Sequence, residues 1–188
     1  MKKILFVNAC VRENSRTLDL AKCVLANLSG EAFELRLYDT ELSCLDADGM
    51  RARDAAFSAK DFSDSRFDLA RQFAEADEIV IAAPYWDLMF PSILKTYFEA
   101  VTVNGLTFVY SERGIPMGLC KAERLIYVTT SGGPIINNFG YDYARSLATS
   151  FYGIGDVRCI SAEKLDIRGA DVEAILSAAK ASVPEKIR

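Results

Sequence analysis

A continuous apolar run, Ile79-Val80-Ile81-Ala82-Ala83, ends in Pro84-Tyr85-Trp86-Asp87-Leu88-Met89-Phe90, after which Pro91 opens a helical pattern. Buried strand, aromatic loop and helix in that order make a ligand site in an open α/β sheet, because ligands there bind beyond the carboxyl ends of the strands. Two rings, Tyr85 and Trp86, beside an amide-rich backbone suit a flat heteroaromatic ligand, and a flavin is the leading candidate. The plainer reading is that both rings fill the core. Asp87 either accepts a hydrogen bond from a ring imide or caps the following helix.

Two further loops carry suitable residue types. The first predicted strand runs into Ala9-Cys10-Val11-Arg12-Glu13-Asn14-Ser15-Arg16-Thr17 and then a helix, whose first amides and dipole favour a phosphate. The Ser15 and Thr17 hydroxyls with Arg12 or Arg16 would supplement them; otherwise Asn14 or Ser15 simply caps the helix. The loop has neither the G-x-G-x-x-G fingerprint nor the Walker lysine pattern, which disfavours a nucleotide triphosphatase. Further on, Thr130-Ser131-Gly132-Gly133-Pro134 offers paired glycines through which backbone amides approach a ring edge, or else a plain turn. All three loops follow strands and fall at one end of one sheet, and this convergence raises each above its separate reading. Gly153-Ile154-Gly155 follows a helix and reads as its stop.

The elements that must position these loops alternate. Strands are predicted over residues 3–8, 33–38, 78–83, 124–130 and 157–161, mostly as the continuous apolar runs of buried parallel strands. Between them, Leu18, Ala21, Leu25 and Leu28 recur at helical spacing, with Gly30 placed as a terminal cap. Ile93, Leu94, Tyr97, Phe98 and Val101 form a second stripe, and Val172, Ile175, Leu176, Ala179 and Val183 a third. Five alternations predict a doubly wound parallel sheet. Residues 45–64 are polar and partly helical in pattern, and residues 105–118 read as a short extended excursion.

The 188 residues, 51% of them apolar, match one domain spanning 1–188 with an adequate core. A net charge of -4, with 22 scattered basic residues, gives no reason to expect nucleic acid. The five cysteines form no C-x-x-C pair and no histidine exists to complete a zinc set, so they read as reduced, mostly buried thiols. No apolar stretch approaches the roughly 20 residues of a membrane span, and residues 4–7 are too short for a signal peptide core of about 7 to 15 residues. A cytoplasmic location is expected. Without histidine, Ser-His-Asp and Cys-His mechanisms are excluded, so the chemistry of an enzyme here would belong to a cofactor.

The Pro84 to Leu88 loop, the helix continuing Leu94-Lys95-Thr96-Tyr97-Phe98-Glu99, the stretch Asn104-Gly105-Leu106-Thr107-Phe108-Val109-Tyr110 and Thr130-Ser131-Gly132-Gly133 together resemble the FMN-dependent NADH-azoreductase and NAD(P)H quinone reductase branch of the flavodoxin-like superfamily. The resemblance covers most of the chain. It implies a flavodoxin-like sandwich, with a five-stranded parallel sheet of order 2-1-3-4-5 and helices on both faces. It implies that Ser15, Arg16 and Thr17 hold the FMN phosphate, and that Pro84, Tyr85, Trp86, Asp87 and Leu88, with Thr130, Ser131, Gly132 and Gly133, cradle the isoalloxazine. It further implies a homodimer with sites at the subunit interface and a ping-pong reaction. NADH or NADPH delivers hydride to flavin N5, and two electrons then pass to a quinone or azo acceptor. No side chain need act as catalyst, and the proton comes from solvent or a tyrosine such as Tyr110.

Two positions depart from the family pattern. Ala9 stands where a serine is frequent, a lost hydroxyl worth about 1 kcal/mol of phosphate binding, and Asp87 stands where asparagine is usual. A carboxylate there would disfavour an anionic reduced flavin. Competing readings are a flavodoxin-type FMN electron carrier, for which the acidic bias is mild, and a flavodoxin-like interaction subunit that has lost FMN. Residues 45–64 are expected to shape the acceptor pocket or the dimer contact.

Overall fold

The computed structural model describes residues 1–188. Its central sheet comprises β1 (Lys3–Asn8), β2 (Glu31–Arg36), β3 (Glu78–Ala82), β6 (Arg124–Thr130) and β7 (Asp156–Ala162); the short strands β4 (Phe108–Tyr110) and β5 (Pro116–Gly118) pair separately. The large sheet is parallel throughout and ordered β2-β1-β3-β6-β7, which is 2-1-3-4-5 when its own five strands are counted in turn. Register runs from Ile4 opposite Glu78 and Glu78 opposite Arg124 to Arg124 opposite Asp156, so the carboxyl ends of the central strands finish together.

Strand alternation divides the core in two. Leu5, Val7, Ile79, Ile81, Leu125 and Tyr127 face one side, where they meet α3 (Asp68–Glu75), α4 (Ser92–Val101) and α5 (Phe139–Leu147). Ile4, Phe6, Val80, Ala82, Ile126 and Val128 face the other, where they meet α1 (Arg16–Ala26), α6 (Val172–Ala181) and α7 (Val183–Lys186). Both faces being covered explains why these strands read as unbroken apolar runs. The predicted stripe on α4 holds, with Leu94, Tyr97, Phe98 and Val101 fully or almost fully buried. Tyr97 and Tyr152 pack their rings around Phe73, with centroids 6.3 and 4.8 Å away, and each such ring contributes about 2 to 3 kcal/mol through burial.

Several local expectations shift. β2 starts two residues earlier than predicted and ends at Arg36, because residues Leu37–Asp39 turn into a 3₁₀ helix tied back by the Thr40 hydroxyl to the Arg36 carbonyl at 2.7 Å. Gly30 does not cap α1. Asn27 does, and Gly30 is required because a Cβ there would sit 2.6 Å from the Lys2 carbonyl oxygen. The excursion over 105–118 is a hairpin, with Phe108 opposite Gly118. Residues 45–64 contain α2 (Ala47–Ala59), and Gly153, at φ +79, ends a π-helical stretch as the stop signal predicts.

Candidate functional site

The loops after β1, β3 and β6 open onto one cleft of about 360 Å³, within the range of small-molecule sites. At one end lies the first turn of α1. Ser15 is its N-cap, accepting from the Leu18 amide at 3.3 Å, so the capping reading of Ser15 is correct and that of Asn14 is not. The cap uses only one of the free amides of this turn; those of Arg16 and Thr17 have no partner within the helix and point toward the positive end of its dipole. Thr17 is buried, and its hydroxyl meets that of Thr130 at 2.6 Å, fastening α1 to the end of β6.

The opposite wall comes from the loop after β3. Its Tyr85 amide donates to the Thr130 carbonyl at 3.0 Å, and the Tyr85 hydroxyl donates to the Asn137 carbonyl at 2.9 Å, so the ring is held from both sides by the loop after β6. Trp86 and Met89 exchange backbone hydrogen bonds of 3.2 and 2.8 Å around a two-residue turn. Asp87 and Leu88 form that turn with φ +50 and +68, the left-handed pair of a tight hairpin connection. Trp86 is 41% exposed on the cleft wall, so the core reading fails for it. Asp87 does not cap α4, whose N-cap is Pro91.

Ser15, Arg16, Thr17, Pro84, Tyr85, Trp86, Thr130, Ser131 and Gly132 line the cleft, whereas Asp87, Leu88 and Gly133 do not, although Asp87 and Gly133 each adjoin a residue that does. The cleft also takes Val11, Arg12 and Asn14 from the first loop. Leu165 and Asp166, beyond the end of β7, were missed by sequence reasoning. Their segment is stitched to the 131–133 loop by bonds from Leu165 N to Ser131 O (3.1 Å), Asp166 N to Gly132 O (2.9 Å) and Lys164 N to Gly133 O (3.1 Å). The rule that ligands sit beyond strand ends applies equally to the fifth strand and would have found them.

Other expectations change here. Ala9 is fully buried in the core beneath the cleft and does not line it, so a missing hydroxyl at that position is not a missing wall of the site. Cys10 lies under the same loop, where burial pushes its thiol up from its ordinary value. Tyr110 is on the hairpin, half-exposed and outside the cleft lining. No residue of 45–64 lines this cleft; part of that segment borders a separate hollow of about 230 Å³, where Arg53 donates to the backbone carbonyls that end α4.

A family model described as a flavodoxin-like fold matches residues 2–187. The chain belongs to that flavodoxin-like family. Among its relatives, the FMN-dependent NADH:quinone oxidoreductase of Clostridium perfringens is 33% identical over 183 residues, which cover 92% of this chain and 91% of the relative. A protein of the same name from Coprothermobacter proteolyticus is 35% identical over 190 residues, covering 92% of each chain. Among solved structures, an azoreductase from Bacillus anthracis superimposes with a TM-score of 0.84 at 25% identity over 98% of both chains. For a flavodoxin-like protein, the carboxyl-end cleft with an anion-receptive helix start at one end and an aromatic wall at the other is the expected place of a ligand. No helix is long and apolar enough to cross a membrane.

Proposed function

We propose that this chain is an FMN-dependent NADH:quinone oxidoreductase of cytoplasmic location, also able to reduce azo compounds. The observation that carries the reading is the pairing, in one cleft, of the free first-turn amides of α1 with the Tyr85 and Trp86 wall. The two ends match the phosphate and the ring of one molecule. Proteins of similar length and one third identity bearing the oxidoreductase name support the same conclusion.

FMN, when bound, would supply the two-electron chemistry that links a reduced nicotinamide to the acceptor in a ping-pong sequence. The chain's part is to bind and orient. The Arg16 and Thr17 amides, with Arg12 and Arg16 as nearby cations, hold the phosphate. Tyr85 and Trp86 flank the ring, and the Thr130 to Gly133 loop presents backbone to its edge. With no histidine in the chain, Tyr110 outside the cleft and the Tyr85 hydroxyl proton engaged by the Asn137 carbonyl, solvent delivers the proton. Exposed Trp86 and Leu88 follow β3 and exposed Ile136 and Phe139 lie between β6 and the first turn of α5, the two segments are joined by the Tyr85 hydroxyl and the Asn137 carbonyl, and a second copy of the chain covers these side chains in a homodimer.

Trp86 is the only tryptophan, so all tryptophan emission of the chain comes from the wall of the cleft. The test is to titrate FMN into flavin-free protein and follow quenching of both fluorophores, then to assay NADH oxidation with a quinone. Saturable quenching near one FMN per chain and steady-state turnover are expected. Binding without turnover would identify an electron carrier, and no binding would leave an interaction subunit. NADPH in place of NADH measures donor preference, and sedimentation measures dimerisation.

A further inference from the structure

One of the two cations at the phosphate end of the candidate cofactor cleft, Arg16, is already engaged by the Asp166 carboxylate. Asp166 lies so close over Gly132 that a Cβ on that glycine would sit 2.3 Å from its Oδ2. Its Oδ1 accepts from Arg16 Nη1 at 2.7 Å, and the same nitrogen donates to the Leu165 carbonyl at 3.2 Å. The pair joins the first turn of α1 to the loop that follows β7, and both residues line the cleft. With side chains 42% and 70% exposed, it holds Arg16 in one place without locking it there. Arg12, on the same cleft, makes no ion pair.

We propose that Asp166 sets the affinity of the cleft for phosphate-bearing flavin by competing with the ligand's phosphate for Arg16. This rests on the FMN reading of the cleft. A phosphate arriving at the first turn of α1 meets a guanidinium already engaged by two oxygens, one of them anionic. To use that guanidinium it must take the carboxylate's place, and the displaced carboxylate stays nearby as a like charge. Both effects act on the phosphate, and neither acts on a flavin that lacks one. Asp166 is in this sense a positioning residue, acting through Arg16, and it makes FMN the more weakly held and more readily exchanged.

The test titrates FMN and riboflavin separately into the full chain, following Trp86 emission at low and high salt, in wild type, D166N, R16M and the double variant. Asparagine keeps the shape that packs over Gly132, and D166S provides a second, smaller replacement. D166N is expected to lower the FMN Kd about fivefold at low salt, the effect of one pair of unit charges a few ångströms apart in water, and by less at high salt. The riboflavin Kd should not move, and the gain should shrink when Arg16 is methionine. Unchanged or weaker FMN binding in both Asp166 variants overturns the proposal, as does an equal gain for riboflavin or a gain of full size without Arg16. Flavin binding that ignores residue 166 removes this inference alone, whereas absence of binding by either flavin to wild type and variants removes the cofactor reading with it.

Discussion

The Thr17 and Thr130 hydroxyls meet 2.6 Å apart at the floor of the cleft, with the two residues only 1% and 9% exposed. One belongs to α1 and the other closes β6, so a single bond joins the candidate phosphate end to the loop that faces the ring. Replacing Thr130 by valine leaves a buried hydroxyl without its partner and should cost about 1 to 3 kcal/mol in urea unfolding. Replacing both threonines by valine should cost less than the sum of the two single changes, because no orphaned hydroxyl remains.

Leu88 carries an exposed side chain on a left-handed backbone at φ +68. An exposed aliphatic exchange is ordinarily neutral, but a β-branched side chain tolerates this conformation poorly. Leu88→Val should therefore destabilise by about 1 to 2 kcal/mol despite its exposure. Leu88→Asn, a residue at ease in the left-handed region, should not destabilise the fold. Thermal unfolding of the two variants side by side distinguishes backbone strain from lost contact.

At the opposite end of the sheet, Asp156 accepts from Arg158 Nε and from Arg124 Nε, both at 2.7 Å, while the two arginines also hold the Lys186 and Ile187 carbonyls. The bonds from Arg158, then those from Arg124, draw the Asp156 carboxyl below its ordinary value of 3.8, against an opposing effect of partial burial. A carboxyl depressed in the folded state stabilises fully above its unfolded pKa, and that contribution is lost as pH falls through the folded one. Asp156→Asn should cost about 1 kcal/mol at pH 7, and the gap from wild type should close only below about pH 4. Urea titrations at pH 7 and pH 3 measure it.

Thiol reactivity should divide cleanly. Burial pushes Cys120 and Cys159 up to about 12 and raises Cys10 as well, whereas Cys44 is exposed. A chromogenic disulfide reagent should find one fast thiol per native chain, lost in Cys44→Ser, with the half-buried Cys23 reacting more slowly and Cys10, Cys120 and Cys159 only on unfolding.

Where the chain is buried on both sides, its sequence was plain to read: β1, β3 and β6 are apolar runs because two helical layers cover them, and their boundaries agree with the structure to within a residue. β2 was misplaced by two residues. As an edge strand it exposes Phe33 and alternates weakly, so nothing in Glu31-Ala32-Phe33-Glu34-Leu35-Arg36 marks its start. The aromatic wall and the helix start were legible from residue types alone. Leu165 and Asp166 were not read from residue types, since the segment after β7 has neither glycine pair nor aromatic ring, and only its place beyond a strand end points to the cleft. The turn at Asp87 and Leu88 was equally hidden, because its left-handed pair is built from residues other than the usual Asn-Gly.

The carboxylate lying over Gly132 is the free end of an exposed side chain, so a methyl group at position 132 is accommodated only if that carboxylate turns aside. Turning aside means leaving Arg16, since one carboxylate both packs over the glycine and holds the guanidinium. Gly132→Ala should therefore release Arg16 without altering either charged residue, and the bare backbone at position 132 is a condition of the ion pair.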